Sequence, residues 1–440
     1  MTTPTPDWAA RFSERMSRVR ASEIRELLKL LDQPDILSFA GGIPDPGLFP
    51  ADQIHAAYDA ILADPDQSRA ALQYSVSEGY LPLRRWIAQR MALDGVACDE
   101  HNIILTAGSQ QALDLLGKLF LTRGDTVMVA RPTYLGALQA FNAYEPAYLD
   151  LPAKALRDGV DAQALMAGRQ PHPLGYFVPD FANPTGESLT LAEREALLDL
   201  AAELDMTLIE DAAYRELRFD GEALPTLLAL DIARSGSIEA ARTLFCGTFS
   251  KTISPALRMG WVCGPKAVIE KLVLLKQGCD LHVSTINQMA LHATVSQGYE
   301  QHLGSLRTAY GAKAAATLAA LERHMPAGVT WSKPEGGMFV WLWLPEGMDG
   351  KLLLERSLAE ERVAFVPGEP FFAEVPTANA IRLSYSLPTD AEIEDGVRRL
   401  AGLIGRSSGR SEAPPPKGVI PESPRGLSGT QTRGACRIDR

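Results

Sequence analysis

The sequence predicts an α/β fold in which a large, mostly parallel, doubly wound sheet is joined by a second, smaller α/β domain. Short apolar runs alternate with amphipathic stretches from about residue 102 onwards, the pattern of a parallel sheet flanked by helices. The region 329–386 shows further strand patterns with one helix between them. The 440 residues are enough for two or three domains.

Six short apolar runs are predicted to be strands of the large sheet. Helices are predicted between them, most clearly over 112–121 and 191–204, where apolar residues recur at helical spacing. Such sheets bind their ligands at the carboxyl ends of the strands, so the residues that follow each strand are the first candidates for a site. The predicted strands are 103–106, 126–130, 176–179, 207–210, 244–247 and 260–263.

The two ends of the chain and one internal stretch show different patterns. Apolar residues at helical spacing between 8 and 31 predict one or two helices, and 285–324 predicts a long helical region. The last 36 residues, 405–440, are rich in Gly, Ser, Pro and Arg, and they carry seven basic and three acidic side chains. Because large apolar side chains are nearly lacking there, a disordered tail is predicted.

Composition excludes several classes of protein. The 43 basic and 54 acidic side chains give a net charge of −11, which argues against a surface built for nucleic acid or anionic lipid. The five cysteines are scattered without a CxxC pair, so neither a disulfide framework nor a metal site is indicated. No apolar run approaches the roughly 20 residues of a membrane span, and no export signal is recognised at the start. We therefore expect a cytoplasmic protein that acts on small molecules.

The first candidate site follows the strand 103–106, where Ala-Gly-Ser-Gln-Gln at 107–111 leads into a helix. Free backbone N–H groups at a helix start, together with the hydroxyl of Ser109, can bind an anion. Taken alone, the motif is better explained by a helix whose N-cap is Ser109. Both interpretations stay open at this point.

The second candidate is Gly-Thr-Phe-Ser-Lys at 247–251, followed seven positions after Lys251 by Arg258. A lysine at the carboxyl end of a strand, beside hydroxyls and an arginine that can bind phosphate with its planar fork, suits a Schiff-base nucleophile with a cofactor phosphate nearby. The alternative is a surface lysine and a structural arginine.

The third candidate combines a carboxylate and a phenol after the strand 207–210. Asp211 could keep a pyridinium nitrogen protonated, and Tyr214 could donate a hydrogen bond to a neighbouring ring oxygen. The tetrapeptide Asn-Pro-Thr-Gly at 183–186 follows another strand, and the Asn183 amide could bind the same ring oxygen. Each motif alone could instead be a helix cap or a turn.

Together and in this order, these residues closely resemble the fold-type I pyridoxal phosphate-dependent aminotransferases, over nearly everything from about residue 15 to residue 403. The chain is most similar to the subgroup that contains 2-aminoadipate and kynurenine aminotransferases. Three motifs carry that resemblance: SFAGGIP at 38–44, LQY with EGY at 72–74 and 78–80, and GTFSKTISPALRMGWV at 247–262.

The resemblance implies a role for each matching residue and pyridoxal 5'-phosphate as the cofactor. Lys251 would form the Schiff base with the cofactor and move the substrate proton, and Asp211 would pair with the pyridine nitrogen. Asn183 and Tyr214 would hold the ring hydroxyl. A ping-pong exchange of amino groups between an amino acid and a 2-oxo acid is implied. The phosphate would be bound by Ser109, Gln110, Ser250 and Arg258, with Tyr74 reaching it from the partner subunit of a homodimer.

Further matches concern the ring and the substrate. Tyr134 matches the aromatic residue that stacks on the cofactor ring, and Arg382 the residue that binds the substrate α-carboxylate. Arg25 matches an arginine that accepts acidic side chains, although it could equally be a helix-surface residue. We expect a donor range from 2-aminoadipate to leucine-like or aromatic amino acids, with 2-oxoglutarate as acceptor. The expected substrate pocket is walled by Gly41, Gly42, Ile43 and Phe339.

The resemblance also suggests how the chain is divided. Residues 1–50 are predicted to be an arm and helix that add to the small domain, and 51–290 to be the large cofactor-binding domain. Residues 291–404 are predicted to be the C-terminal small domain, before the tail at 405–440.

Three other functions are compatible with parts of this pattern. The nearest is another enzyme of the same fold, such as a β-lyase or a decarboxylase; Arg382 and the subgroup motifs favour amino transfer. A transcription regulator with an aminotransferase-like domain is disfavoured because only 37 residues precede the SFAGGIP motif. A scaffold protein without catalysis is disfavoured because Lys251 and Asp211 are both present.

Overall fold

The computed structural model describes residues 6–19 and 35–408. In the first of these segments the predicted helices appear as two short 3₁₀ turns, Ala9–Arg11 and Glu14–Ser17. The rest of the predicted N-terminal helix, including Arg25, and the predicted tail from residue 409 lie outside the described residues. The final helix continues to residue 408, four positions past the boundary predicted for the tail.

A seven-stranded sheet forms the centre of the molecule and confirms the predicted mostly parallel α/β fold. Its spatial order is β2-β8-β7-β6-β5-β3-β4, and only β8 runs antiparallel to its neighbours. Most of its residues are buried, because helices cover both faces. After the short β1 (Leu37–Ser38), the strands are β2 (Ile103–Thr106), β3 (Thr126–Ala130), β4 (Ala147–Leu151), β5 (Leu174–Phe177), β6 (Thr207–Asp211), β7 (Thr243–Thr248) and β8 (Gly260–Cys263).

Two strands differ from the sequence prediction by more than one residue at an end. The strand predicted at 176–179 begins two residues earlier and ends at Phe177. Beyond it the carbonyl of Pro179 leaves the sheet and accepts hydrogen bonds from Leu189 and Arg194. The edge strand β4 was not predicted, because one face is only partly covered and the run contains Asp150.

The helices begin and end where the sequence supplies local signals. Thr190 and Glu193 form a capping box at the start of the helix predicted at 191–204. The helical region 285–324 is two helices, separated near Gly298, whose φ of 76° suits glycine. The helices are α1 (Ala51–Ala63), α2 (Pro65–Ala71), α3 (Leu81–Leu93), α4 (Ser109–Phe120), α5 (Leu135–Asn142), α6 (Ala153–Asp158), α7 (Ala162–Leu165), α8 (Leu191–Glu203), α9 (Leu227–Ser235), α10 (Lys266–Gln277), α11 (Thr285–Val295), α12 (Tyr299–His324), α13 (Gly350–Arg356) and α14 (Asp390–Ser408).

The C-terminal part contains a second sheet of four strands in the order β12-β13-β10-β9. A further strand, β11, pairs in parallel with β1, and the N–H of Ser384 donates to the carbonyl of Phe39. These bonds hold the SFAGGIP segment beside β13. The strands are β9 (Thr330–Trp331), β10 (Phe339–Trp343), β11 (Val363–Ala364), β12 (Val366–Pro367) and β13 (Ala380–Ser384).

Candidate active site

The candidate site lies at the carboxyl edge of the large sheet, where the chain also brings in residues from the second sheet. Asp211 ends β6, Lys251 follows β7 by three residues, and Ser109 follows β2. Arg382 reaches this edge from β13, beside the segment 40–42. The sheet thus gathers side chains that are far apart in sequence, as expected for parallel strands.

Lys251 is a partly buried lysine, and among residues 6–19 and 35–408 no carboxylate accepts a hydrogen bond from it. Its Nζ donates to the carbonyl of Gly42 at 2.8 Å and lies 5.8 Å from the ring centroid of Tyr214. Desolvation lowers the pKa of Lys251 to about 8, and the positive charges of Arg382 and Arg258 act in the same direction. A fraction of this amine is therefore neutral near physiological pH, as a nucleophile and base requires.

Asp211 is a buried carboxylate with one satisfied oxygen. The hydroxyl of Tyr176 donates to its Oδ2 at 2.8 Å, whereas its Oδ1 has no hydrogen-bond partner among the residues that the structure describes. Burial raises the pKa of Asp211 to about 6, against the lowering effect of bonds from Tyr176 and the Ala213 N–H. Since a buried oxygen of this kind needs a donor, Oδ1 is suited to a protonated ring nitrogen.

Arg382 is a buried arginine held between an amide and a backbone carbonyl. Its Nη1 donates to Oδ1 of Asn183 at 2.7 Å, and its Nη2 to the carbonyl of Ala40 at 2.8 Å. Nε has no acceptor in the described part of the chain. The guanidinium lies 4.3 Å from the ring centroid of Phe339 and 5.2 Å from that of Phe371. Burial lowers its pKa to about 10, so it is still protonated at neutral pH and can bind a carboxylate.

Asn183 and Tyr214 connect this arginine to the lysine. Nδ2 of Asn183 donates to the hydroxyl of Tyr214 at 3.4 Å, and the Tyr214 ring packs edge-on against Phe339 with centroids 5.5 Å apart. Burial raises the pKa of Tyr214, which therefore stays a neutral phenol and a hydrogen-bond donor. Both groups can hold one oxygen of a ligand between them.

The loop between β2 and α4, residues 107–108, brings the start of α4 close to Arg258. Gly108, with a φ of 79°, is the N-cap of α4, so Ser109 is the first helical residue and not the cap considered above. Nη2 of Arg258 donates to the carbonyl of Ala107 at 3.0 Å. A Cβ on Gly260 would lie 2.7 Å from the carbonyl carbon of Gly108, so glycine is needed for β8 to approach the loop.

The other predicted phosphate contacts lie around this loop. Ser250 Oγ accepts a hydrogen bond from Thr248 at 2.9 Å, and Gln110 donates its side-chain amide to the carbonyl of Gly136 at 2.8 Å. Hydroxyls, a guanidinium and the first N–H groups of a helix are the usual donors to phosphate. The residues present therefore fit pyridoxal phosphate at both its ends, the ring nitrogen and the phosphate.

Two aromatic residues of the prediction lie in different environments. Tyr134 directly precedes α5, and its ring packs so closely on Gly136 that a Cβ there would lie 2.4 Å from its Cζ. Tyr74 is 79% exposed, and its ring contacts His282 edge-on with centroids 5.9 Å apart. The contacts described for Tyr74 join it to Gln73 and His282 and not to the loop of the same subunit.

The remaining predicted residues concern the substrate. Gly41 is buried between Ala40, whose carbonyl binds Arg382, and Gly42, whose carbonyl binds Lys251. A Cβ on Gly42 would lie 2.6 Å from the Phe339 ring, so the two residues are in close contact and form one continuous side of the predicted substrate pocket. Arg25 lies outside the described residues.

Two residues of the site were not identified from the sequence. Tyr176 pairs with Ile209 across β5 and β6, so it shares a face with Asp211 two residues further along. That alternation in a buried strand is a signal that could have been used. Phe371 belongs to the short 3₁₀ turn Glu369–Phe371, and no local pattern connects it with Arg382.

No group of three or more His, Cys, Asp or Glu side chains suited to a metal ion occurs within residues 6–19 and 35–408. In the same ranges, none of the helices combines the length and the apolar character needed to cross a membrane.

Comparison with known proteins gives consistent matches. The family model described as Aminotransferase class I and II matches residues 46–400. The chain is 42% identical over 397 residues to a 2-aminoadipate transaminase of Thermus thermophilus, covering 90% of this chain and 97% of that protein. It is 40% identical over 411 residues to Aromatic-amino-acid aminotransferase 1 of Thermococcus litoralis, covering 91% and 95%. The structure of LysN, the alpha-aminoadipate aminotransferase of Thermus thermophilus complexed with N-(5'-phosphopyridoxyl)-L-leucine, is similar with a TM-score of 0.82 and 40% identity, covering 92% of this chain and 100% of that one.

Proposed function

This chain belongs to the class I and II aminotransferases and uses pyridoxal 5'-phosphate, and we propose that it transfers the amino group of acidic, leucine-like and aromatic L-amino acids to 2-oxoglutarate. The observation that carries the substrate proposal is the position of Arg382. Its guanidinium is buried between Phe339 and Phe371 and linked through Asn183 to Tyr214. A carboxylate bound there leaves the rest of the substrate against aromatic walls.

The proposed roles of the polar residues follow from their surroundings. Bound pyridoxal phosphate supplies an electron sink for the electron pair left when a proton leaves the substrate Cα. Lys251, with its lowered pKa, would accept that proton on Nζ and donate it to the carbon on the cofactor side of the substrate nitrogen, so that the proton is moved without net gain or loss. Asp211 offers Oδ1 to the ring nitrogen and keeps it protonated. Asn183 and Tyr214 orient the ring hydroxyl through their side chains.

We also assign the remaining contacts. Ser109, Gln110, Ser250 and Arg258 bind the phosphate at the start of α4, where the helix dipole adds to the attraction. Tyr134 lies against the ring face. One α-carboxylate position serves both half-reactions, because the amino acid and the 2-oxo acid carry the same carboxylate, and Arg382 binds it in each.

The exposed segment around Tyr74 supports a homodimer. Leu72, Tyr74 and Val76 are 70%, 79% and 56% exposed, an apolar row that would be covered in an assembly. We propose that it packs on a second copy and that Tyr74 completes the partner's phosphate site. We further propose a cytoplasmic location, because the five cysteines are scattered without a CxxC pair.

The donor range is supported by the relatives and by the pocket walls. The two similar sequences are named for 2-aminoadipate and for aromatic amino acids, and the LysN structure holds a phosphopyridoxyl derivative of leucine. Gly42 and Phe339 form an apolar surface that suits leucine-like and aromatic side chains. Acceptance of an acidic side chain is assigned to Arg25, which the sequence match suggests.

A panel of amino acids with 2-oxoglutarate, followed through glutamate formation, tests this proposal. We expect turnover of 2-aminoadipate, leucine and aromatic amino acids, and a selective loss of 2-aminoadipate turnover in Arg25→Ala. Arg18→Ala is the matched control, because it removes another arginine of the N-terminal region. If Arg25→Ala leaves the ranking of donors unchanged, the assignment of Arg25 is wrong. Release of carbon dioxide, or of ammonia with an oxo acid but no glutamate, would instead indicate a decarboxylase or a β-lyase.

A further inference from the structure

Next to the 107–108 loop lies a group of three side chains to which the proposed function assigns no role. Lys276, near the end of α10, has a side chain with 0% exposure. Its Nζ donates to Oδ1 and Oδ2 of Asp280 at 2.6 and 2.8 Å, and to Oε1 of Gln111 at 3.2 Å. Nε2 of Gln111 in turn donates to Oδ2 of Asp280 at 2.7 Å. We call these three mutually bonded residues the Lys276 network.

The Lys276 network is joined directly to the loop. Oε1 of Gln111, which accepts from Lys276, also accepts from the N–H of Ala107 at 2.8 Å. The carbonyl of Ala107 accepts from Arg258 at 3.0 Å. Ala107 is therefore fixed through its N–H by the network and through its carbonyl by the proposed phosphate-binding arginine. The next two residues are Gly108 and Ser109, which begin α4.

The chemistry of the network favours a function over simple filling of space. A buried ammonium group is costly unless it is paired and hydrogen-bonded, and a methionine would fill the same volume without that cost. Desolvation lowers the pKa of Lys276, while the hydrogen bond and the charge of Asp280 oppose this effect. The contact of Nζ with the Asp280 carboxylate has the geometry of an ion pair. A charged donor polarises the Gln111 amide that receives the loop N–H, and a chain of such bonds holds its members in one arrangement.

We propose that Lys276, Asp280 and Gln111 are positioning residues that hold the 107–108 loop in the conformation that binds the cofactor phosphate. The proposal rests on the proposed cofactor site and adds to it three residues that do not touch the cofactor. It assigns their effect to the phosphate end of the ligand alone, since Asp211 and Lys251 bind the ring end independently.

Ligand affinities of the apoenzyme test the proposal. In Lys276→Met we expect affinity for pyridoxal phosphate to fall by about tenfold, the usual effect of losing a charge-assisted bond. Affinity for pyridoxal, which lacks the phosphate, should change less than about twofold. The rise in melting temperature that inorganic phosphate gives the apoenzyme should shrink in parallel. Gln111→Leu should act in the same way, and the double variant should be no worse than the stronger single one.

The control is Lys266→Met, which removes the ion pair of Lys266 Nζ with Asp99, 2.9 Å apart, from the first turn of the same helix. It should leave both affinities unchanged. Equal losses for pyridoxal and pyridoxal phosphate, or equal effects of the control, would overturn the positioning role. If Lys276→Met does not fold, Gln111→Leu decides in its place. If the wild-type protein does not retain pyridoxal phosphate on Lys251 after borohydride reduction, the proposed function is contradicted. The rise in the melting temperature of the apoenzyme with inorganic phosphate would in that case still test the Lys276 network.

Discussion

The hydroxyl of Tyr176 donates to Oδ2 of Asp211 at 2.8 Å, across two neighbouring buried strands, and leaves Oδ1 of that carboxylate directed to no partner among the described residues. One oxygen is thereby satisfied by the protein, and the other is available to a ligand. The same bond lowers the pKa of Asp211 against the raising effect of burial. Tyr176 thus affects both the orientation and the charge of the carboxylate.

Tyr176→Phe should therefore raise the pKa of Asp211 above its value of about 6. Less of the carboxylate is then ionised near neutral pH, and ring-nitrogen protonation is supported less well. We expect the acid limb of the pH profile of pyridoxal phosphate binding to move to higher pH, with little change in alkaline solution. Tyr148→Phe is the control, since Tyr148 donates to Leu138 and Asn142 at the edge strand of the same sheet. An unshifted profile in Tyr176→Phe would contradict this role.

Lys251 gives a second prediction that depends on pH. Its pKa in the folded protein is about 8, below the ordinary value of 10.5, so the unfolded chain binds more protons between these two values. The apoenzyme should therefore gain stability as the pH rises from about 8 to 10.5, by at most about 3 kcal/mol from this residue. Lys251→Met should remove that gain. The measurement is the free energy of unfolding of both apoproteins as a function of pH, and parallel curves would show that Lys251 is not desolvated.

The sequence was sufficient for features that depend on local pattern and on motif order. The helix predicted over 191–204 from its apolar spacing does begin at Leu191, and the capping box of Thr190 and Glu193 explains why its start is set by local sequence. Strand β4 was not predicted because one of its faces is only partly covered, so polar residues interrupt its apolar run. The end of β5 was misplaced because the apolar stretch that contains Pro179 continues beyond the last residue of the strand.

Contacts between segments that are distant in sequence could not be predicted from local sequence patterns. The carbonyls of Ala40 and Gly42 accept from Arg382 and Lys251 because β1 pairs with β11 and sets the position of this segment. A backbone oxygen carries no residue-type signal, so its role depends on that long-range pairing. The Lys276 network was missed for a similar reason: its three members are ordinary polar residues of two helices and a loop.

Arg382→Lys should reduce kcat/KM for every amino donor and for 2-oxoglutarate alike, by about a hundredfold. Lysine keeps the positive charge but loses the planar fork that reaches Asn183 and a carboxylate together. The cofactor should still be retained, because Arg382 is not among the proposed cofactor contacts and is linked to them through Asn183. Arg218→Lys, which changes another arginine stacked on an aromatic ring, Phe181, is the control. Loss limited to one donor would indicate a side-chain contact instead.

In the proposed homodimer, Tyr74 can be assigned to its own or to the partner's site by mixing subunits. Lys251→Ala and Tyr74→Ala homodimers should each have little activity at limiting cofactor. If Tyr74 serves the partner's site, the mixed dimer has one site with both residues intact. Unfolding and refolding an equal mixture should then restore about a quarter of wild-type activity, because half of the dimers are mixed and one of their two sites is complete. A mixture that stays inactive would place Tyr74 in its own subunit's site.

Gly260→Ala tests whether the close approach of β8 to the 107–108 loop is needed for cofactor binding. The added Cβ would lie 2.7 Å from the carbonyl carbon of Gly108 and 2.8 Å from the nitrogen of Ser109, and both are backbone atoms that move only with the loop. We expect pyridoxal phosphate affinity to fall by at least about tenfold, while pyridoxal binds nearly as before. Gly304→Ala is the control, because a Cβ added at this exposed position of α12 would have no atom within 4 Å. It should leave the affinity for pyridoxal phosphate unchanged. Since alanine is favoured over glycine inside a helix, it should raise the free energy of unfolding by about 0.5–1 kcal/mol. Equal affinity in both variants would mean that the loop tolerates displacement, and the phosphate would then have to be bound mainly by Arg258 and Ser250.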